Sequence, residues 1–391
     1  MNFKISQKNI ILFIAFFLIT IGNGDYVGTH FGNLIEYLGL MLLVALSLVS
    51  SFRIKKRINN YFKMLLFSGL LSIGSLIQND RFKVFVMVFS TSFIIMCFVF
   101  SSGKIIASNC KIKVLANSIM FGAIVTALIG IITGTLGLSF GTNESIIGIL
   151  YLSGFSIKNY CGGIWLLLFI LYYVYYFRAK LLKRINSLLF LAFLGLLLIL
   201  SGSKGACLLC FVFLVMVNSR KIIIIGKKYK KIASIAFLIS AIGIGIYIYS
   251  NILIRVDTYA YRMRGLQKLV SYMCTDMRKI LFGVSDIAYA NTGFNYTYNM
   301  RNFLGWEASV EMAYVNVLIK NGMLGIVCYA YIFIYSFKSC SNDCQDRQII
   351  ISLLIVMLIS GFVETYIVSI HYVVGPVLYC IIAGFLQQNW N

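Results

Sequence analysis

The sequence predicts an all-α fold, a polytopic bundle of about 12 transmembrane helices with one large outer loop near the C-terminal third. Composition is the first observation behind this: of 391 residues, 60% are hydrophobic and 12% are charged, outside the range of soluble globular domains. The second is that apolar runs of roughly 15 to 22 residues recur along the chain, and a helix needs about 20 residues to cross a bilayer. Such runs are longer than the alternating strands of a membrane barrel, so helices are the predicted spanning form.

Each apolar run is assigned as one span. The predicted spans are 9–22, 32–51, 64–77, 82–101, 114–134, 160–177, 186–200, 205–218, 232–250, 322–337, 349–367 and 372–387. An even number of spans puts both termini on the same side of the membrane. The first run is interpreted as a span rather than a cleaved leader, because no A-x-A-like site follows it. Residues 1–391 are therefore predicted to form a single integral membrane domain.

The basic residues predict the orientation of these spans. With the N-terminus inside, 22 of the 34 Lys and Arg residues lie on the inner side, and 8 of the outer ones fall in a single long segment. The short outer loops hold only Arg81, Lys83, Lys158 and Lys204. This positive-inside bias places both termini in the cytoplasm. It also accounts for the net charge of +22 without nucleic acid, since basic inner loops face anionic lipid.

Two outer segments exceed the length of a simple connection: residues 251–322 form a large loop and residues 135–159 a second one. Long irregular loops are usually functional or disordered. The large loop is rich in Tyr and Phe, and the stretch 261–283, "YRMRGLQKLVSYMCTDMRKILFG", has apolar residues at helical spacing with Gly283 at its end. We expect a surface helix with Leu266, Leu269, Val270 and Met273 on its buried face.

The stretch 309–329, "SVEMAYVNVLIKNGMLGIVCY", combines polar residues with an apolar run. We predict two elements: a polar-faced helix over 309–320, then a turn at Asn321-Gly322 and a span from Met323. On that helix Asn316 and Lys320 share one face through their spacing of four residues.

Four stretches follow one another in a recognisable order: "GFSIKNYCGG" at 154–163, "LSGSKGA" at 200–206, "RMR…FG" within the large loop, and "VEMAYVNVLIKNGMLG" at 310–325. In this order and at these places in the predicted topology, they resemble the O-antigen polymerase and O-antigen ligase superfamily. The resemblance covers roughly residues 154–325. Two departures matter. Lys204 stands where the family usually has Arg, and Glu311 stands where the ligase branch has His, which favours the polymerase branch.

The resemblance implies a glycosyltransferase of the bacterial cytoplasmic membrane. Family members transfer a glycan from a polyprenyl-pyrophosphate lipid to a sugar hydroxyl on the outer face, here to build O-antigen or capsular polysaccharide. The substrate and membrane lipid are the expected partners, with a chain-length regulator protein as a further one. No nucleic acid and no cofactor are expected, since the donor is already activated and the chain has no Walker loop or G-x-G-x-x-G motif.

The implied chemistry selects candidate residues. A cationic clamp must hold the pyrophosphate, and an acceptor-side group must orient the hydroxyl. The catalytic candidates are Glu311, Arg264 and Arg262. The substrate-binding candidates are Lys204, Asn159, Lys158, Arg278, Arg301, Tyr314 and Trp306. Each has a simpler alternative: the cations contact lipid headgroups, Glu311 pairs with a loop arginine, and the aromatic residues anchor the protein at the interface.

Four further ionisable residues lie in or beside the predicted outer segments. Glu36 and Glu364 lie in or near the ends of spans, where such groups are functional candidates. His30 and His371 are the only histidines. Because they belong to different outer loops and lack carboxylates at ligand spacing, no metal site is predicted.

Three alternative functions stay open. A ligase of the same superfamily is disfavoured by Glu311. A lipid-linked oligosaccharide flippase or other transporter would be expected to have more evenly matched halves. A sugar acyltransferase would be expected to have an intramembrane His with polar partners, and none is evident along the chain.

Overall fold

The computed structural model describes most of the chain. The described residues are 7–52, 58–78, 82–100, 109–142, 148–225, 257–290, 296–306, 310, 312–338, 347–371 and 373–388. The first helices are α1 (Gln7–Gly22), α2 (Asp25–Phe31), α3 (Leu34–Phe52), α4 (Ile58–Gln78), α5 (Phe82–Phe100) and α6 (Asn109–Thr133). A short hairpin follows, with strands β1 (Leu138–Phe140) and β2 (Ile149–Tyr151), before α7 (Lys158–Arg178), α8 (Ile185–Leu200) and α9 (Lys204–Ile225). The remaining helices are α10 (Asp257–Met273), α11 (Met277–Phe282), α12 (Ser285–Ala288), α13 (Tyr296–Leu304), α14 (Ala313–Lys338), α15 (Arg347–Val363) and α16 (Val374–Gln388).

The helical architecture agrees with the predicted all-α membrane fold. Eleven of the twelve predicted spans coincide with a described helix, and the remaining one, 232–250, lies outside the described residues. Within the described part, four helices are long and apolar enough to cross a membrane: α5, α6 from Lys111, α7 and α14. A fifth arises if α2 and α3, which meet at 94°, form one broken span. Several shorter apolar helices accompany them, and the number twelve stays a prediction.

The chain divides into two compact units. The first contains Met1–Ser68, Thr91–Phe213 and Phe333–Asn391. In it α1 packs against α3 and α6, while α7 packs against α6 and α8. All side chains of α7 from Cys161 to Val174 are buried. Helix α7 is therefore the central helix of this unit.

The second predicted outer loop contains the β1–β2 hairpin. Leu138 pairs with Tyr151 and Phe140 with Ile149, antiparallel. Beyond β2 the chain passes close to the end of α1, where the Asp25 N–H donates to the Gly154 carbonyl at 2.8 Å. The hairpin thereby leads directly into α7, whose first residues belong to the "GFSIKNYCGG" stretch.

The second unit contains Gly69–Ser90 and Leu214–Ile332, and most of the predicted large outer loop lies in it. The predicted helix over 261–283 is two helices, α10 and α11, because Asp276 begins a new helix by accepting a hydrogen bond from the Arg278 N–H at 2.9 Å. Leu269 and Met273 are buried as predicted, but Val270 is 48% exposed. Helix α11 is followed by Gly283, the glycine predicted at the helix end, which has a positive φ of 87°.

The turn predicted at Asn321-Gly322 is confirmed. Helix α14 has a non-helical residue within it, Gly322, with φ 61° and ψ −156°. The helical segment before the turn begins at Ala313 rather than at Ser309. Both Ser309 and Glu311 lie outside the described residues.

Candidate functional site

A short connecting segment between α15 and α16 forms the centre of the candidate site. Three of the polar residues of this connecting segment, residues 364–371, define the site: Glu364, Tyr366 and His371. Each of them contacts a different part of the first unit. The three contacts bring together stretches that are far apart in the sequence.

The first contact joins the connecting segment to the "LSGSKGA" stretch. Glu364 is buried and its carboxylate lies against Gly205, close enough that a Cβ on Gly205 would be 2.8 Å from Oε1. The Glu364 N–H also donates to the Ser360 carbonyl at 2.7 Å, so its backbone continues the geometry of α15. A buried acidic group is thus placed at the first turn of α9, where the helix dipole favours negative charge.

The second contact joins it to the "GFSIKNYCGG" stretch. The Tyr366 hydroxyl donates to the Asn159 carbonyl at 3.4 Å, and its ring packs on Gly163, where a Cβ would lie 3.0 Å from the hydroxyl oxygen. Gly162, the neighbouring glycine, packs against Ser203 and Ser201. Small residues allow this close approach of helices in a membrane protein. The two quoted stretches are therefore in direct contact.

The turn between α8 and α9 is fixed by its own serines. Gly202 has a positive φ of 70°, the Ser203 N–H donates to Ser201 Oγ at 3.3 Å, and Ser203 Oγ accepts from the Ala206 N–H at 3.3 Å. Ser203 is thus an N-cap of α9. Lys204 follows at the start of the helix with an exposed side chain, so its ammonium group is available to an anion.

The third contact is an ionisable pair. His371 Nδ1 lies 3.2 Å from Glu36 Oε1 and 3.4 Å from Oε2, the oxygen with which it shares a hydrogen bond. The Glu36 side chain is 3% exposed and that of His371 is 36% exposed. Among the described residues, Glu36 Oε1 has no hydrogen bond although it is buried. Burying a carboxylate with a single ionisable partner has a large desolvation cost, and such groups are therefore candidates for a functional role.

In the second unit, two glycines form a tight backbone contact. A Cβ on Gly322 would lie 2.5 Å from the Leu281 carbonyl, and a Cβ on Gly283 would lie 2.5 Å from the Ile319 carbonyl. The Val284 N–H donates to that Ile319 carbonyl at 2.8 Å, which satisfies a group released by the turn at Gly322. The end of α11 is thereby docked on the turn in α14.

Asn316 and Lys320 meet one tyrosine, as their shared helix face predicts. The Tyr296 hydroxyl donates to Asn316 Oδ1 at 2.5 Å, and the Lys320 Nζ lies 4.4 Å from the centre of the same ring. Burial raises the pKa of Tyr296 well above its ordinary value, and also that of neighbouring Tyr289. Both phenols therefore stay protonated at neutral pH, and Tyr296 acts as a donor in a buried network.

The predicted site residues fall in both units. Asn159, Lys158 and Lys204 lie in the first, at the starts of α7 and α9. The others that are described lie in the second: Arg264, Arg278 and Arg301 are exposed, Tyr314 is half-buried, and Arg262 lies within α10. Trp306 is only 4% exposed and packs against Gly265, so stacking on a sugar would require the ring to be uncovered. Glu311 lies outside the described residues, and its predicted role stays a prediction.

The sequence reasoning did not predict the pairing of Glu36 with His371. The two residues are 335 positions apart, and no local spacing connects them. One feature does point to the pair: an acidic residue near the end of a span, in a chain with only two histidines that both fall in loops on the predicted outer side.

No family model matches this chain, and no curated protein sequence matches it at a significant level.

Proposed function

We propose that the protein is a polymerase that joins polyprenyl-pyrophosphate-linked oligosaccharide units into O-antigen or capsular polysaccharide on the outer face of a bacterial cytoplasmic membrane. One observation carries this proposal. The "GFSIKNYCGG" and "LSGSKGA" stretches, on which the resemblance to the superfamily rests, pack against each other through Gly162, Ser201 and Ser203. Two buried carboxylates, Glu36 and Glu364, lie in the same unit.

The proposed reaction is a glycosyl transfer. The acceptor hydroxyl loses its proton to a base while its oxygen forms a bond to the anomeric carbon of the donor. The bond from that carbon to the pyrophosphate oxygen breaks, and its electron pair leaves with the polyprenyl pyrophosphate. The protein must therefore stabilise negative charge on the leaving group and accept one proton.

Several side chains have suitable chemistry for the leaving group. In the first unit, Lys204 is exposed at the start of α9, and an ammonium group binds phosphate as a point charge. Lys158 and Asn159 at the start of α7 are proposed to assist it. In the second unit, Arg264 and Arg262 are the proposed phosphate-binding guanidinium groups, with Arg278 and Arg301 as further contacts. Glu311 is the predicted acceptor-side carboxylate, and Tyr314 and Trp306 are the predicted sugar contacts.

A second candidate function has gained an observation in its favour. The sequence disfavours an acyltransferase that modifies sugars, because no histidine with polar partners is evident along the chain, yet His371 pairs with Glu36. Acyl transfer to a sugar hydroxyl needs a base of this kind. The ligase and flippase alternatives gain no comparable observation.

Deletion of the gene, followed by gel analysis of cell-surface glycan, separates these functions. Loss of a polymerase leaves single repeat units on the surface, whereas loss of a ligase leaves a long chain on the carrier lipid. Loss of a flippase leaves no outer-face glycan. Loss of an acyltransferase leaves the ladder of chain lengths intact and removes an ester group. We expect the first pattern, and any of the other three would refute the proposal.

Complementation of the deletion strain tests the residues. We expect Arg264→Ala, Lys204→Ala and Glu311→Ala each to be expressed normally and to shorten or abolish the ladder. Lys183→Ala is the matched control, since this exposed lysine lies in a predicted inner loop. A normal ladder in all three variants would refute the site assignment while leaving the function itself standing.

A further inference from the structure

We propose that His371 is the general base that accepts the proton of the acceptor hydroxyl, and that Glu36 is the positioning residue that orients its ring. This inference rests on the proposed glycosyl transfer and assigns one step of it. His371 is proposed to be a catalytic residue because it would contact the reacting hydroxyl.

The contact between the two side chains determines which ring nitrogen is available. Nδ1 faces the Glu36 carboxylate, 3.2 Å from Oε1 and 3.4 Å from Oε2. A neutral imidazole that donates from Nδ1 to a carboxylate has a lone pair on Nε2. Since the His371 side chain is 36% exposed while that of Glu36 is 3% exposed, the histidine is the member of the pair that a substrate can reach.

The position of Glu36 is closely defined by backbone packing. It lies in the first turn of α3, where the helix dipole favours a negative charge. Gly22, at the end of α1, lies directly against it, since a Cβ there would be 2.8 Å from the Glu36 nitrogen and 2.9 Å from its Cβ. A carboxylate held by two packed helices is a rigid support for an imidazole ring.

Other groups complete the surroundings of the ring. Tyr37, from α3, contacts the His371 ring edge-on with centroids 5.6 Å apart. Tyr160, from α7, lies within electrostatic range of Glu36, and the Ser369 hydroxyl accepts from the backbone N–H of His371 at 3.2 Å. Within the described part of the chain, Glu36 is the charged partner that the structure shows for His371. Protonation of the ring during the reaction would therefore form an ion pair with Glu36 and be stabilised by it.

The connecting segment relates this pair to the rest of the site. His371 lies seven residues after Glu364, which packs on Gly205 beside the exposed Lys204. Tyr366, between them, contacts Asn159 and Gly163. The same short segment thus carries the proposed base and contacts both stretches on which the resemblance rests. This placement favours a role for His371 in the candidate site over that of a histidine that merely satisfies a buried carboxylate.

In the proposed step the acceptor O–H bond breaks and its proton moves to Nε2 of His371. The oxygen electron pair forms the bond to the anomeric carbon, and the pair from the broken carbon–oxygen bond leaves on the pyrophosphate. The imidazolium then returns its proton to water, so no further reactant is needed.

The test uses the full-length protein in lipid, a defined polyprenyl-pyrophosphate-linked repeat unit as substrate, and chain extension as the readout. We expect His371→Ala to lower kcat by about 10²-fold or more, the usual contribution of a general base, with the KM for the donor unchanged. Glu36→Gln is expected to cause a smaller loss, because an amide oxygen can still accept from Nδ1 but provides no charge. The double variant should be no worse than His371→Ala, because Glu36 acts through His371.

Chemical rescue separates a base from a structural residue. Imidazole added to the His371→Ala variant should restore activity, whereas pyrazole, a ring of the same size and much weaker basicity, should not. Equal rescue by both rings, or none by either in a variant that retains wild-type thermal stability, would overturn the inference. His30→Ala is the matched control, since this exposed histidine hydrogen-bonds the Tyr26 carbonyl at 2.8 Å within its own helix, and its activity should equal that of the wild type.

Failure of the inference and failure of the proposed function give different results. If the wild-type protein does not extend the lipid-linked unit, the proposed function fails and the inference fails with it. If the wild type is active and His371→Ala retains its kcat while Glu311→Gln loses it, the function stands and the base is Glu311.

Discussion

Single residues in the second unit show how a polar group is accommodated in an apolar protein. Asn316 is buried, and each end of its amide has a partner. Its Oδ1 accepts from Tyr296 at 2.5 Å, and its Nδ2 donates to the Val310 carbonyl at 2.7 Å. A buried polar group that keeps its hydrogen bonds costs little, whereas one that loses a partner bears its full desolvation cost. The network therefore stabilises the unit only while it is complete.

Tyr296→Phe is expected to destabilise this unit. The change removes one hydroxyl, leaves Asn316 Oδ1 without that donor and should cost about 1 to 3 kcal/mol. Thermal unfolding in detergent micelles should therefore have a lower midpoint. Tyr298→Phe is the control, because that side chain lies on the same helix and is 60% exposed. Equal midpoints for the two variants would contradict a structural role for the hydrogen bond.

At the residue scale, the sequence predicts contacts only between side chains that share one face of a single helix. Asn316 and Lys320 are four residues apart, and both contact Tyr296. The tyrosine itself could not be identified in this way, because it comes from α13 across a loop. The pairing of Glu36 with His371 likewise depends on tertiary packing between α3 and the connecting segment. Hydrophobic periodicity along the chain does not predict contacts between residues so far apart in the sequence.

At the scale of elements, glycines determine where helices turn and how closely they pack. Gly322 has φ 61° and ψ −156°, a region that is essentially restricted to glycine. It also lies against the end of α11, because a Cβ on Gly322 would be only 2.5 Å from the Leu281 carbonyl. The turn and the contact therefore depend on the same missing side chain.

Gly322→Ala should destabilise the second unit more than an ordinary helix substitution does. The strained backbone alone should cost about 1 to 3 kcal/mol, and the clash with Leu281 adds to it. Gly69→Ala is the matched control, since Gly69 lies within α4 and a Cβ there would meet nothing within 4 Å. We expect a lower unfolding midpoint for Gly322→Ala and an unchanged or higher one for Gly69→Ala. The reverse order would show that the turn at Gly322 is not required.

Helix existence was well predicted from the sequence, and helix boundaries less so. Eleven of the twelve spans predicted from apolar runs coincide with described helices, because burial in lipid requires a continuous helix of that length. The helix predicted over 261–283 is divided because Asp276 caps α11, a local hydrogen bond that hydrophobic periodicity does not register. The β1–β2 hairpin was not predicted either, since each strand has only three residues.

At the scale of the whole molecule, charge asymmetry is the strongest basis for orientation. Most Lys and Arg residues lie on the predicted inner side, and the anionic inner leaflet favours that arrangement. Five residues of the candidate site lie in or beside segments predicted to be outside: Glu36, Asn159, Lys204, Glu364 and His371. Contacts within the first unit join Glu36 to His371, Asn159 to Tyr366 and Glu364 to Gly205. An outer-face reaction therefore requires this orientation.

The native cysteines provide a direct test of the orientation. Cys274 is exposed in the predicted outer loop, whereas Cys97, Cys161, Cys210, Cys328 and Cys380 are buried. An exposed thiol reacts through its thiolate with a maleimide that cannot cross the membrane. We expect right-side-out vesicles to be labelled at Cys274, and Cys274→Ser to remove that labelling.

Inside-out vesicles complete the experiment, because they present the opposite face. Cys110, Cys340 and Cys344 lie on the predicted inner side, the last two of them outside the described residues, and should react there even in the Cys274→Ser variant. Labelling of Cys274 in inside-out vesicles alone would reverse the predicted orientation. It would place the large loop in the cytoplasm, where a lipid-linked donor presented on the outer face cannot reach it, and the polymerase proposal would then have to be abandoned.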